Sequence, residues 1–151
     1  AKTLYVGNVN RGLKLHFRCD SPWAWEYPKT ITYTFTGDQI RNFYFDFYNS
    51  SDSNEYLYPI VDFTLNNIGN SISIENTTTG EPPFIFSGIS PNEHIIVDNS
   101  LKTIVSSTGL LRLNYFNKKW LRFIEGNNRI HVISAIGTLK LTYSFARKIG
   151  A

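Results

Sequence analysis

Apolar and polar residues alternate with a period of two along most of this chain, the pattern of a β-strand with one buried face. From Leu13 to Cys19 the odd positions are apolar and the even ones polar. Ile31, Tyr33 and Phe35 alternate with threonines between Thr30 and Thr36. Val61, Phe63 and Leu65 alternate with Asp62 and Thr64, and Ile72 and Ile74 with Ser71, Ser73 and Glu75. Leu111, Leu113 and Tyr115 alternate with Arg112 and Asn114. The last run is the longest, with Leu139, Leu141, Tyr143 and Phe145 on one face and Lys140, Thr142 and Ser144 on the other.

Turn formers separate these runs at short intervals: Thr36-Gly37-Asp38, 48–54, 66–70, Thr79-Gly80-Glu81-Pro82-Pro83, Ser90-Pro91-Asn92, Gly126-Asn127-Asn128 and Ile136-Gly137. Nowhere do apolar residues recur at helical spacing over three turns, which leaves room for at most a short helix near Gln39-Ile40-Arg41. The pattern predicts an all-β, antiparallel β-sandwich of two sheets packed face to face. An aromatic share of 15% agrees, because flat rings fit a pleated, half-buried surface.

Two prolines and three large aromatics interrupt the alternation at Ser21-Pro22-Trp23-Ala24-Trp25-Glu26-Tyr27-Pro28. Proline donates nothing to a ladder and favours an extended connector. Residues 1–27 therefore read as an appendage or linker, pinned by Trp23 and Trp25, and residues 28–151 as the sandwich. The chain starts at Ala1 and has no Met, and it is read as a piece of a longer protein.

Charge is distributed in blocks. Residues 1–19 hold four basic groups and no acid, 20–98 hold two basic groups against eleven acids, and 99–151 hold nine basic groups against Glu125 alone. Such blocks mark nucleic-acid or subunit contacts, or else charges that meet across a fold. Interleaved strands make mutual neutralisation the simpler expectation.

Catalytic and metal-binding groupings are not evident. His16, His94 and His131 lack metal-ligand spacing and read as strand residues, with His16 and His131 on polar faces. Cys19 continues the apolar face of its strand, and a lone cysteine forms no internal disulfide. Ser87-Gly88 and Thr108-Gly109 read as turns, not nucleophile elbows. Asp46, Asp62, Glu75 and Glu93 are the strand-borne acids that a glycosidase would need in a facing pair, and no spacing singles out two of them. Asn49-Ser50-Ser51 and Asn76-Thr77-Thr78 match the glycosylation sequon as chance does in an Asn/Ser-rich chain. No catalytic residue, metal site or cofactor is expected, and no apolar run approaches the roughly 20 residues of a membrane helix. Aromatic surplus is the remaining signal. Tyr44, Tyr48, Tyr56, Tyr58 and Trp120 are candidate sugar platforms if exposed, whereas rings in the core would be packing alone.

The stretch Leu13 to Ala24 resembles the segment that closes the N-terminal domain of phage distal tail proteins, the Dit family of siphophages and related prophages. Asn76-Thr77-Thr78-Thr79-Gly80, Phe84 to Ile89 and Glu93 to Asp98 look like that family's central hairpins. Trp120 to Ile130 resembles the segment before its final strand, and Leu139 to Arg147 the strand itself. The resemblance implies a galectin-like, jelly-roll-type sandwich at a virion tail tip or baseplate. Its partners would be adhesins or neighbouring tail proteins, with neither nucleic-acid binding nor membrane insertion. A hexameric ring would be built by the N-terminal domain of the full-length parent, leaving this piece monomeric. The alternative is a carbohydrate-binding module that contacts host cell-wall polysaccharide.

Overall fold

The computed structural model describes residues 2–6, 9–14, 22–36, 41–66, 70–135 and 137–149. Its strands are β1 (Lys2–Val6), β2 (Val9–Lys14), β3 (Trp23–Trp25), β4 (Lys29–Phe35), β5 (Arg41–Asn49), β6 (Ile60–Leu65) and β7 (Ile72–Asn76). They continue with β8 (Phe84–Phe86), β9 (His94–Asp98), β10 (Thr103–Ser106), β11 (Gly126–Ser134), β12 (Gly137–Tyr143) and β13 (Ala146–Lys148). The one helical element among the described residues is a 3-10 turn at Leu113–Tyr115. Residues 15–21, with His16 and Cys19, lie outside the described residues, as do the glycine turn at 37–40 with its expected short helix and the centre of the 66–70 turn.

A five-stranded sheet in the order β10-β9-β6-β12-β4 faces a four-stranded sheet in the order β5-β11-β7-β8, and all pairings are antiparallel. The chain is thus an all-β sandwich. β1 and β2 form a separate hairpin, and β3 pairs with β13. Period-two alternation becomes burial as expected: Val61, Phe63, Leu65, Ile72, Ile74, Leu139 and Leu141 are all buried in the core. Rings bridge the two inner faces, with Phe63 meeting Phe86 at 5.6 Å and Phe47 meeting Tyr143 edge-on at 4.8 Å. At the open side, edge strands β4 and β5 lie against each other through Tyr33, whose ring sits 5.4 Å from Phe43 and 4.6 Å from Phe45.

β11 and β12 are consecutive yet belong to opposite sheets, so the chain turns a corner between Ser134 and Gly137. A Cβ on Gly137 would lie 2.0 Å from the Thr64 carbonyl oxygen, so this close approach of backbones requires glycine. The expected final strand is divided. β12 ends at Tyr143, Phe145 stays buried, and β13 leaves the sheet to pair with β3. Arg147 fixes the departure by bonding Glu26 Oε1 at 2.6 Å and the Ser50 carbonyl.

One alternating run is no strand at all. Leu111 is 94% exposed, Leu113 and Tyr115 also face solvent, and Arg112 is buried. Arg112 Nε donates to Glu93 Oε1 at 2.7 Å and Nη2 to Oε2 at 2.5 Å, with further bonds to Gly88 O and Ser90 Oγ. Glu93 is itself buried and accepts from Ser106 Oγ and the Ser90 N–H. A buried carboxylate needs its cation, so Arg112 turns inward and its apolar neighbours turn out.

Burial alone would push the Glu93 carboxyl up, but the bonds from Arg112, Ser106 and Ser90 outweigh it and hold the group at about 2. A depressed carboxyl contributes stability that is present above its unfolded pKa and lost as pH falls toward the folded one. Glu93→Gln, which leaves a buried guanidinium without its counter-charge, is expected to cost about 3 kcal/mol at pH 7. In urea unfolding at a series of pH values, the gap between wild type and variant should shrink between about pH 4.5 and 2.

Candidate functional site

The segment from Phe116 to Glu125 crosses one end of the sandwich with only isolated bridges at Phe116 and Phe123. Its backbone groups need partners, and asparagine side chains supply them. Asn99, fully buried at the end of β9, donates to Pro59 O at 2.6 Å and accepts from the Leu121 N–H at 2.8 Å. Asn128 accepts from the Ile124 N–H at 2.9 Å and from Asn76 Nδ2 at 2.8 Å, and Asn76 also donates to Arg122 O. Asn117 accepts from the N–H groups of Ile85 and Lys119 and donates to Pro83 O at 2.7 Å. Asn49, too, is buried and donates to Ile124 O at 3.1 Å. The two sequon asparagines are therefore structural clamps.

Two grooves flank this segment and adjoin at Tyr58. The first, of about 240 Å³, is lined by Trp25, Tyr56, Tyr58, Tyr143, Asp98 and Ser100 among others. Tyr56 and Tyr58 are both exposed with ring centres 6.4 Å apart, and the Arg122 guanidinium lies 4.0 Å from the Tyr56 ring centre. The second groove, of about 400 Å³, is lined by Tyr58, Trp120, Lys102, Lys118, Lys119 and Arg122, together with Glu81 and Pro82. Trp120 is half-buried and rests edge-on against Phe116 at 4.8 Å. Arg122 is held by Glu81 through two bonds and stays charged because that carboxylate favours its protonated form.

Of the aromatic platforms expected from sequence, Tyr56, Tyr58 and Trp120 thus come together, while Tyr44 and Tyr48 stand apart on the outer face of β5. Tyr44 stacks on His131 at 4.2 Å with Arg129 beside it, and Tyr48 is 63% exposed. Trp25 was expected to pin the linker. Its backbone does so by pairing with Ala146, but its ring is 66% exposed and lines the first groove. Sequence reasoning missed Trp25, Tyr143 and the three lysines as groove residues; the basic block after residue 99 was the available signal for the lysines.

The acids do not converge. Asp46 pairs with Arg129, Asp62 with His94 and Lys140, Glu75 with His131, and Glu93 with Arg112. No group of three His, Cys, Asp or Glu able to hold a metal occurs among the described residues. No helix among them is long and apolar enough to cross a membrane.

Replacing Asn99 by Ala leaves the Leu121 N–H and the Pro59 carbonyl without their partner inside the fold. We expect a loss of about 2–3 kcal/mol in chemical denaturation. Hydrogen exchange should quicken at Leu121 while the β11 amides keep their protection relative to global unfolding.

The sequence profile of a family described as phage tail C-terminal domain matches residues 23–143, from the start of β3 to the end of β12. No curated protein and no solved structure matches the chain.

Proposed function

The chain belongs to the phage tail C-terminal domain family, and from that premise we propose that it is the galectin-like sandwich of a distal tail protein, carried at the tail tip or baseplate as a docking surface for neighbouring tail proteins. Membership makes it a structural component of the virion tail and speaks for a non-enzymatic role. The finer reading draws on the order of motifs along the chain and on one surface feature. Leu101, Val105, Leu110, Leu111 and Leu113 are all exposed within a short stretch around β10, which is an edge strand. An edge with open backbone groups beside exposed leucines is the kind of surface that a protein partner covers. The Arg112–Glu93 pair presents Leu111 and Leu113 by holding the residue between them. In this reading residues 1–27 are an appendage to the sandwich, and their last strand, β3, is clipped onto β13.

A second reading is supported by a separate observation. Trp25, Tyr56 and Tyr58 are exposed around one groove, and exposed rings beside polar groups suit the apolar faces of sugars. In it, the domain contacts cell-wall polysaccharide while the tail protein remains structural.

Substituting Leu110→Ser and Leu111→Ser together removes exposed apolar area without touching the core, so the isolated domain should keep its unfolding free energy within about 0.5 kcal/mol. Phage carrying the double substitution are expected to assemble tails with a depleted or disordered tip by cryo-electron microscopy. Intact tips with full occupancy of neighbouring proteins would refute docking at this surface. A wild-type map without the sandwich at the tip would refute the tip assignment.

A further inference from the structure

We propose that the groove bounded by Lys102, Lys118 and Lys119 binds an anionic polysaccharide, a chain of sugar rings bearing phosphate or carboxylate groups. The proposal rests on the glycan-binding reading and gives it a ligand class. The charge pattern is the first ground. Cations after residue 99 largely meet acids from the middle of the chain: Arg112 with Glu93, Arg122 with Glu81, Arg129 with Asp46, Lys140 with Asp62, and Arg147 with Glu26 and Asp52. Lys102, Lys118 and Lys119 make no ion pair among the described residues, and all three line one groove. The groove's acid, Glu81, is already engaged by Arg122. The cavity therefore carries unneutralised positive charge.

Backbone conformation is the second ground. Among the described residues three non-glycines have positive φ, and two of them are Lys102 at 56° and Lys118 at 63°. Glycine or asparagine fits that region more easily, and strained backbone concentrates at functional positions. Here two of the three bring charge to the groove, Lys102 from the turn that joins β9 to β10. Asn117 Oδ1 fixes one of these turns by accepting from the Lys119 N–H at 3.2 Å.

The third ground is the aromatic lining. Trp120 and Tyr58 give the groove flat apolar surface beside its ammonium groups, and a sugar acid or sugar phosphate presents the matching pair: a C–H ring face and a charge. A cavity of about 400 Å³ takes a short run of sugar rings.

The test is calorimetric and tryptophan-fluorescence titration of the 151-residue chain with dextran, a phosphomannan and a polygalacturonate. Saturable binding to at least one acidic polymer and none to dextran is expected, and the acidic arm that binds identifies the anion. Binding should weaken as salt rises from about 50 to 500 mM. A triple variant with Lys102→Gly, Lys118→Gly and Lys119→Ala removes the charges and suits the positive-φ turns. It should bind about tenfold or more weakly, and Lys119→Glu should weaken binding without altering either strained turn. Lys148→Ala, outside the groove, should change nothing. Dextran binding as tight as that of the acidic polymers would overturn the anionic assignment and leave the glycan reading standing. Failure of all three polymers to bind would sink both. Equal binding to polyglutamate or single-stranded DNA would overturn the sugar component, and acidic-polymer binding unchanged in the lysine variants would overturn the groove as the site.

Discussion

Hydrogen bonding by asparagine amides is the interaction on which the grooved end of this sandwich depends. A β-sandwich satisfies its backbone in ladders, but the crossing from Phe116 to Glu125 has only two isolated bridges. Its buried N–H and carbonyl groups, at Leu121 among others, would otherwise lack partners, at a cost comparable to a lost hydrogen bond for each. Asn76, Asn99, Asn117 and Asn128 take the place of a neighbouring strand, bonding the backbone of Arg122, Leu121, Lys119 and Ile124. Each amide both donates and accepts, which neither serine nor aspartate can do at two separate points with the same reach. Tyr58, Trp120 and the groove lysines can therefore stand on irregular chain and still be held in place.

Glu93 and Arg112 do similar work at the neighbouring corner, by charge instead of amide geometry. Their pair is buried and bidentate, and the carboxylate is further bonded by Ser106 and Ser90. A buried ion pair of this kind adds little net stability over a well-packed apolar pair, yet breaking it by half is costly. Its effect on the fold is directional: it draws Arg112 in and leaves Leu111 and Leu113 on the surface. The exposed leucines are thus a consequence of where the cation must go.

This explains which parts of the architecture were legible in sequence. Strands such as β6, β7 and β12 bury one face against a continuous core, so alternation in the chain and burial in the structure are the same fact. The run from Leu111 to Tyr115 has the same alternation, but its inward face is chosen by Glu93, distant in sequence and invisible to periodicity. Tyr56, Tyr58 and Trp120 were recognisable as candidate platforms by residue type. Their meeting depends on the asparagine-held crossing, which no local pattern announces. Trp25 was misjudged for a related reason: β3 is fastened by its backbone to β13, so its side chain is not needed as an anchor.

The charge blocks carry the same argument to the surface. Expected neutralisation across the fold occurs for Arg112, Arg122, Arg129, Lys140 and Arg147, each meeting an acid from residues 20–98. Exposed pairs of this type contribute little stability individually, so folding did not require them to be complete. Lys102, Lys118 and Lys119 remain outside that matching, and two of the three occupy backbone conformations that favour glycine. Missing counter-charge and a shared groove are separate properties, whereas the positive φ of Lys102 belongs to the four-residue turn that joins β9 to β10. Missing counter-charge and a shared groove coincide at one end of the sandwich, and the glycan-binding proposal draws on that coincidence.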